Sequence, residues 1–506
     1  MNAISEGGVS KATADPGESA LVLTLLVAFL VVNLLTALNY PHVWNDEVMY
    51  TDPAANLIQG NGFTSTAWYA QAGDRFFAGN TPLHPLLLTG WIYFFGFSPV
   101  AVRSINYFWF TLATFLVWRF CVRAGLITSA RWRLILMLLL ATGSGFSFSY
   151  RSGRPDMIGY FLVALSLYAV TIQRRLLRTL SLLALGMLFP WAGLQLLLLI
   201  ALVTVLIFAF GGLRLSLDGV WLGIGGAFGL AGLYGFYASH GVWPDFVASV
   251  GKHIAGAAGQ DRQGGWAGLF VRDHSAPFLL LLNIGCGICA YKARDAVTSQ
   301  IAWFGLASGI IIPPVMQLCG VFPVYYGWMA ALPQGLAICH AIARHPPRSM
   351  RMKSMVALLL AGAMVVGLPA RLLVAALDSG NQPYSAVQEF VSSHLAASDN
   401  AFLDSSAYYP GMRTAQKVYT LRYLNVMPAA ERANVTAMVI NPDNFSSLRN
   451  EFPGNWRWTA ELTNQNVSPL RLPAFMVRHF QSNLRRDLYA PYWLAVYRKL
   501  PDAPLR

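Results

Sequence analysis

Two short acidic motifs stand at the boundaries of apolar segments, where a charge is costly to hold and therefore needs a reason. Asp46 and Glu47 follow the apolar run 20–38, and the Arg-Pro-Asp triplet 154–156 directly precedes the apolar run 157–172. A carboxylate in such a place could take a proton from a hydroxyl group, bind a cation or cap the following helix. The arginine of the triplet could pair with the aspartate two residues later and fix it.

The composition of the whole chain places these motifs in a membrane protein. Of its 506 residues, 55% are hydrophobic and 12% are charged, with a net charge of +13 and a mean hydropathy of +0.47. Soluble proteins carry about 25% charged residues. These values exclude a disordered chain and argue against an ordinary cytosolic enzyme. We therefore read the basic excess as marking one side of a membrane, rather than as a nucleic-acid-binding surface.

Eleven apolar runs are candidates for membrane spans, because about 20 apolar residues cross a bilayer. They are 20–38, 104–122, 133–149, 157–172, 179–190, 191–210, 219–238, 276–291, 298–318, 326–343 and 354–376. The stretch 179–210 is long for one helix and short for two, and Pro190 is where it would kink or turn back. One kinked helix would reduce the count to ten, and both alternatives stay open.

The distribution of basic residues predicts an orientation. With the N-terminus in the cytoplasm, the cytoplasmic ends of the spans receive 15 of the 23 basic residues in 1–377. This asymmetry supports eleven spans and places residues 378–506 outside the cytoplasm. The long external loop 40–103 contains the aromatic-rich segment 82–97, which we expect to lie as a helix in the outer interface.

The last part of the chain has the composition of a soluble domain. Residues 378–506 carry 13 basic and 10 acidic residues in only 129 positions. A helix is predicted at 383–396, and short strands are predicted at 401–405, 435–440 and 493–498. The sequence thus predicts a membrane domain at 1–377 and a soluble α/β domain at 378–506.

Several short motifs occur in a fixed order along the membrane domain. They are Asp46-Glu47, Ala55-Asn56-Leu57 to Gly60, Pro82-Leu83-His84-Pro85-Leu86, Val102-Arg103, Arg154-Pro155-Asp156, Tyr325-Tyr326 and Leu332-Pro333. The ordered series resembles the GT-C glycosyltransferases of the protein O-mannosyltransferase and lipid A aminoarabinose transferase type, over residues 20–345. Two residues depart from that pattern, His84 at a usually aromatic position and Thr81 where a proline is usual. A lysine common between the fifth and sixth spans is also absent.

The resemblance implies a fold and a reaction. The fold is a polytopic α-helical membrane protein of about eleven transmembrane helices, with interfacial helices in the first external loop and a soluble α/β domain. The reaction is an inverting transfer of one sugar from a polyprenyl-phosphate-linked donor to a cell-envelope acceptor, which could be lipid A, another glycolipid, a polysaccharide or a protein. We expect it at the periplasmic face of a bacterial inner membrane.

The resemblance also implies roles for the acidic motifs. Asp46 would be the general base, and Glu47 would orient either Asp46 or the acceptor. Asp156 would hold sugar hydroxyls or help to place Asp46.

The departing phosphate needs cations, and a sugar or isoprenoid needs aromatic surfaces. The candidate substrate-binding residues are His84, Arg103, Arg154, Lys252, Arg262, Arg272, Tyr325 and Tyr326. The loop cations could instead be solvated surface charges, and the tyrosines could be interfacial belt residues.

No cofactor is certain, and a divalent metal is possible. The loop 239–275 contains His240, His253 and His274. Zinc accepts histidine and aspartate ligands, but the irregular spacing of these residues favours surface histidines.

Two other functions compete with the enzyme. A lipid-linked sugar transporter or flippase would carry ionisable groups near mid-span, whereas these spans are nearly free of charge. A non-catalytic protein of glycan assembly would tolerate the loss of Asp46.

Overall fold

The structure is a computed structural model that describes residues 15–194, 213–260, 273–318, 326–377, 383–463 and 492–501. This part of the chain is mostly helical, and a five-stranded sheet lies near its C-terminal end. The predicted helical class of the larger part and the predicted small C-terminal sheet are therefore present, and the division into two domains at residue 378 stays a prediction.

The structure describes fifteen helices before residue 378. They are α1 (Pro16–Leu35), α2 (Asn45–Ile58), α3 (Leu83–Phe95), α4 (Pro99–Arg123), α5 (Ala130–Thr142), α6 (Ser144–Arg151), α7 (Asp156–Val170), α8 (Arg175–Ala192), α9 (Leu213–Ser239), α10 (Trp243–Gln260), α11 (Ala276–Lys292), α12 (Ala296–Leu318), α13 (Trp328–Arg344), α14 (Met350–Val365) and α15 (Leu368–Leu377). The loop 40–103, which is predicted to be external, contains the two helices α2 and α3.

Among the described residues, four helices are long and apolar enough to cross a membrane: α1, α4, α12 and the Asp218–Ser239 part of α9. The pair α5 and α6, bent by 53°, would make a fifth if it is one span. The count of eleven is thus not confirmed, because α7 and α11 are apolar but shorter. The predicted span 354–376 divides into α14 and α15. Helix α8 continues through Pro190, while most of the predicted span 191–210 lies outside the described residues.

Helices α8 and α9 pack at unusually close range because glycines remove the side chains between them. A Cβ atom at Gly186 would lie 2.9 Å from the Cα atom of Gly225, and one at Gly225 would overlap the carbonyl oxygen of Leu183. Gly229, one turn after Gly225, has its Cβ position against the backbone of Met187. This Gly-xxx-Gly spacing is typical of helix pairs in membranes.

The C-terminal domain is a mixed sheet with the strand order β2-β1-β3-β5-β4. Its strands are β1 (Asn400–Leu403), β2 (Lys417–Thr420), β3 (Ala437–Ile440), β4 (Trp456–Leu462) and β5 (Leu494–Lys499). Strand β1 pairs in parallel with β2 and β3, whereas β5 pairs antiparallel with β3 and β4. Helices α16 (Tyr384–His394), α17 (Tyr408–Thr414), α18 (Ala429–Ala433) and α19 (Phe445–Leu448) complete the domain.

Buried Asp399 ties three parts of this sheet together. Its carboxylate accepts hydrogen bonds from Thr436 Oγ1 (3.0 Å), from an Arg498 guanidinium nitrogen (2.5 Å) and from the backbone N–H of Ala396 (2.6 Å). Burial opposes ionisation of this carboxyl, but the hydrogen bonds from Arg498 and its other donors outweigh burial and lower its pKa. The start of β1 is thereby fastened to β3 and β5.

We expect Gly225→Ala to destabilise the membrane domain by about 1–3 kcal/mol, because overpacking forces α8 and α9 apart. Gly223→Ala is the matched control, since a Cβ atom there would meet nothing within 4 Å. The measurement is thermal unfolding of the full chain in detergent. Equal melting temperatures for the two variants would contradict the close packing of these helices.

We expect Asp399→Asn to destabilise the sheet by about 2 kcal/mol at neutral pH, because it removes charged hydrogen bonds. Since the folded pKa lies below the unfolded value of about 3.9, this stabilisation is complete above the unfolded pKa and disappears as the pH falls through the folded pKa. The measurement is hydrogen exchange of β1, β3 and β5 at several pH values. Exposed Asp443→Asn is the control, and a difference between wild type and Asp399→Asn that grows on acidification would refute the assignment.

Candidate active site

The first turn of α2 presents the acidic motif. Trp44, in an extended conformation, precedes the helix, and its indole N–H donates to the carbonyl oxygen of Ser152 at 2.9 Å. The turn that carries the second motif is therefore fastened to the start of α2. Asp46 and Tyr50 are four residues apart and so lie on the same face of α2. Two motifs more than 100 residues apart in the sequence thus meet at one place.

Arg154 joins the two motifs by ion pairs. Its guanidinium group pairs with Asp46 through Nη1, and its Nε lies 3.1 Å from Oδ2 of Asp156. Its Nη2 donates to the hydroxyl oxygen of Tyr326 at 3.0 Å. The predicted partnership of Arg154 with Asp156 is present, and the same guanidinium also contacts Asp46 and Tyr326.

Aromatic rings hold the guanidinium group of Arg154 in place. Its Cζ atom lies 5.4 Å from the ring centre of Tyr50 and 5.6 Å from that of Tyr326. Such cation–π contacts are stronger where water is excluded, and the Arg154 side chain is only 2% exposed. Asn106 Nδ2 also donates to the backbone carbonyl of Arg154 at 2.7 Å. The end of α2 that carries Asp46 therefore faces a cation that is held in place.

Exposure distinguishes the three predicted catalytic carboxylates. The side chains of Glu47 and Asp156 are completely buried, whereas that of Asp46 is 20% exposed. Asp46 is thus the carboxylate of the three that an acceptor can reach directly. Glu47 and Asp156 can act on a reaction only through their neighbours or after a rearrangement.

Glu47 and Arg103 form a second, fully buried ion pair. One carboxylate oxygen of Glu47 lies 2.5 Å from Nη2 and 3.1 Å from Nε of Arg103. Nη1 of Arg103 donates to the carbonyl oxygens of Ala37 (2.5 Å) and Pro41 (2.7 Å). Arg103 therefore joins α2 to the end of the first span, and a donor phosphate would have to compete with these bonds. Its predicted substrate contact stays a prediction.

His84 is buried at the start of α3. Neither of its ring nitrogens has a hydrogen-bond partner among the residues that the structure describes. Burial lowers the pKa of this imidazole to about 4, so the ring is neutral at pH 7. A neutral ring offers a ligand one N–H and one acceptor nitrogen, without a positive charge.

Helix α10 packs on the loop 40–103 through residues spaced by four. Asp245 pairs with Arg75 at 2.8 Å, and Ser249 Oγ accepts from Trp68 Nε1 at 2.9 Å. His253 Nδ1 lies 3.0 Å from the hydroxyl oxygen of Tyr69. Burial is the largest cause of the lowered pKa of His253, and the charge of Arg154 lowers it further.

Four predicted binding residues remain, and the structure describes one of them. Lys252 is exposed on α10, next to His253. Arg262, Arg272 and Tyr325 lie outside the described residues.

The histidines considered as metal ligands do not form a metal site in the described part of the chain. His240 stacks on Phe76, with 3.8 Å between ring centres, and His253 is bonded to Tyr69. Among the described residues, no three His, Cys, Asp or Glu side chains converge as metal ligands do.

Three site residues escaped the sequence analysis: Tyr50, Tyr69 and Asn106. A signal existed for Tyr50, because it lies one helical turn after Asp46 in an apolar-faced helix. The contacts of Tyr69 and Asn106 depend on segments distant in the sequence, so no local pattern reveals them.

We expect Arg154→Gln to destabilise the protein by about 3 kcal/mol, because it leaves the buried carboxylate of Asp156 without its cation. Adding Asp156→Asn should recover part of this loss by removing the stranded charge. Arg75→Gln is the control, since its ion pair with Asp245 is 60% exposed on the arginine side and should be worth less than about 1 kcal/mol. Thermal unfolding in detergent measures all of them, and a double variant no more stable than Arg154→Gln would disprove the pairing.

Comparison with known proteins gives matches among solved structures only. No protein-family model matches the chain, and no curated protein matches it. The structure of ArnT from Cupriavidus metallidurans bound to undecaprenyl phosphate is 13% identical, with 97% of this chain and 99% of that chain covered and a TM-score of 0.43.

Two sugar transferases are similar at the same level. The arabinofuranosyltransferase AftD from Mycobacteria is 12% identical, with a TM-score of 0.49, 97% of this chain covered and 40% of that chain. The archaeal oligosaccharyltransferase AglB from Archaeoglobus fulgidus, in complex with an inhibitory peptide and a dolichol-phosphate, is 12% identical, with a TM-score of 0.45 and coverages of 86% and 71%. Because the identities and TM-scores are low, function has to be argued from the residues themselves.

Proposed function

We propose that the chain is a membrane glycosyltransferase of the GT-C type. It moves a single sugar from a polyprenyl-phosphate-linked donor to a cell-envelope acceptor by inverting displacement. The acceptor class covers lipid A and other glycolipids, polysaccharides and proteins. The reaction takes place at the outer face of a bacterial inner membrane, with the N-terminus in the cytoplasm and residues 378–506 in the periplasm.

One observation carries the proposal: a partly exposed carboxylate is held against a buried cation at the end of the helical bundle. Asp46 is 20% exposed while Arg154, its partner, is 2% exposed. Exposure of the carboxylate lowers the desolvation cost of this ion pair, and it also leaves Asp46 open to a molecule from outside. A base that must meet an acceptor hydroxyl needs that opening, together with a fixed orientation.

The chemistry then requires one proton acceptor and no covalent intermediate. The acceptor oxygen attacks the anomeric carbon from the face opposite the phosphate, and Asp46 takes the hydroxyl proton as that bond forms. The bond between the anomeric carbon and the phosphate oxygen breaks, and its electron pair leaves with polyprenyl phosphate. Arg154 and Asp156 keep Asp46 in position throughout.

The leaving phosphate gains a negative charge, which cations stabilise in the transition state. Lys252 is exposed on α10. The residue after it, His253, is hydrogen-bonded to Tyr69 of the loop 40–103. We propose that Lys252 contacts this phosphate, with Arg262 and Arg272 as further candidates. Tyr326, beside Arg154, is proposed to contact the sugar, and Tyr325 and His84 remain candidate substrate contacts.

Exposed aromatic side chains support an active site that receives a lipid donor. At the C-terminal end of α3, Tyr93, Phe94 and Phe95 are 76%, 78% and 62% exposed. Aromatic residues concentrate at the boundary between lipid and water. A polyprenyl chain must stay in the bilayer while its phosphate reaches α2, so an interfacial helix next in sequence to α2 fits this requirement.

The decisive experiment compares wild type with Asp46→Asn in detergent, using a panel of undecaprenyl-phosphate-linked sugars and acceptors of each class. We expect wild type to release undecaprenyl phosphate. Asp46→Asn should bind the same donor with a kcat lower by about 10²- to 10⁴-fold, the usual contribution of a general base. Asp74→Asn is the matched control, because Asp74 is an exposed residue of the same external loop.

Each other outcome has a definite meaning. If Asp46→Asn keeps the wild-type kcat, Asp46 is structural and the base assignment fails. If wild type binds none of these donors, the glycosyltransferase proposal fails, and transport or glycan assembly becomes the better hypothesis.

A further inference from the structure

Two consecutive tyrosines of the C-terminal domain reach the helix that carries Asp46. The hydroxyl group of Tyr409 donates to Oε1 of Glu47 at 2.9 Å, and that of Tyr408 donates to Oδ1 of Asp52 at 2.7 Å. All four side chains are buried, with residue exposures of 0–1%. The soluble domain thus supplies a hydrogen bond to each of two buried carboxylates of α2.

The Asp52 carboxylate belongs to a network that fixes the middle of α2. Its second oxygen accepts from Ser65 Oγ at 2.8 Å and from the backbone N–H of Thr66 at 2.7 Å. Thr66 in turn donates its hydroxyl to the carbonyl oxygen of Val418, in β2 of the C-terminal domain, at 2.6 Å. These hydrogen bonds hold the C-terminal domain against the loop 40–103. They act on α2 at Asp52, six residues after Asp46.

The Glu47 carboxylate lies at a junction next to the base. Arg103 of α4 occupies one of its oxygens, and Tyr409 occupies the other. A third neighbour packs on its side chain: Gly153 has a φ of +68°, and a Cβ atom there would lie 2.5 Å from Cγ of Glu47. Gly153 directly precedes Arg154, the cation that pairs with Asp46. A displacement of Glu47 would therefore move Asp46, its neighbour in the sequence. It would also move Arg154, because Glu47 packs against Gly153.

We infer that Tyr409 is a positioning residue, through which the C-terminal domain sets the orientation of Asp46 by its hydrogen bond to Glu47. This inference rests on the proposed transferase function. It assigns the soluble domain a role in catalysis itself, in addition to any part in choosing the acceptor. Without the tyrosine hydroxyl, one oxygen of a buried carboxylate loses its donor, and we expect the side chain to shift towards Arg103.

Small displacements of a catalytic group have large effects on rate, because the reacting atoms must approach in one geometry. Donor binding depends on other contacts, so it should survive such a displacement. The expected signature of a positioning residue is thus a lower kcat with an unchanged KM for the donor. A residue that only holds the domain in place would lower the amount of folded protein and leave kcat per folded molecule unchanged.

The experiment compares Tyr409→Phe with Tyr408→Phe in the full chain, with the undecaprenyl-phosphate sugar that wild type turns over. Both variants keep the ring and remove one hydroxyl that donates to a buried carboxylate of α2, so they are closely matched. Activity is counted per donor-binding site, which corrects for unfolded protein. We expect Tyr409→Phe to lower kcat by about 10- to 100-fold, with the donor KM unchanged. Tyr408→Phe should keep kcat within about threefold of wild type.

Glu47→Gln is the second variant, because it leaves Tyr409 in place and alters the carboxylate through which it acts. It should reproduce the lower kcat at an unchanged donor KM. Equal effects of Tyr408→Phe and Tyr409→Phe on kcat, or a wild-type kcat in either Tyr409→Phe or Glu47→Gln, would overturn the inference. If wild type itself turns over no donor, the proposed function fails, and this inference fails with it.

Discussion

The site depends on the cost of burying charge. Arg154 is almost completely enclosed, and its charge is tolerated only because Asp46 and Asp156 pair with it while Tyr50 and Tyr326 face it with their rings. Removing either carboxylate would leave part of the guanidinium charge uncompensated in a site that water reaches poorly. This requirement forces α2, α7 and the segment before α13 to meet at one point. The position of Asp46 follows from it.

A second buried pair repeats the same constraint one residue further along the chain. Glu47 and Arg103 neutralise each other, and their hydrogen bonds extend to the end of the first span and to Tyr409 of the C-terminal domain. The adjacent acids of one motif thus have different environments. Asp46 keeps contact with water, whereas the hydrogen bonds of Glu47 join α2 to α4 and to the C-terminal domain. Of these two adjacent carboxylates, Asp46 is therefore the candidate base, and Glu47 is a structural support.

Local patterns predicted much of the architecture. Apolar runs located most of the long helices, and β1, β3 and β5 coincide with predicted strands, whereas the predicted start of a soluble domain at residue 378 stays a prediction. Neither edge strand, β2 or β4, was predicted; β4 has mostly exposed side chains and therefore a weak hydrophobic signal, whereas β2 is as short as β1 and β3 and three of its four residues are buried. The predicted count of eleven spans stays unconfirmed, because α7 and α11 have fewer than 18 residues, α5 bends into α6, and most of the predicted span 191–210 lies outside the described residues.

The sequence by itself indicated a membrane protein with acidic motifs at the boundaries of apolar runs, because residue type and hydrophobic length are local properties. It also indicated that Arg154 pairs with Asp156, which lies two residues away. Only the tertiary structure decided that Arg154 reaches Asp46, that Arg103 is bonded to Glu47, and that Tyr408 and Tyr409 meet the carboxylates of α2. These contacts join residues 50 to more than 300 positions apart. Their partners are selected by how the helices and the sheet pack, and no spacing along the chain encodes that choice.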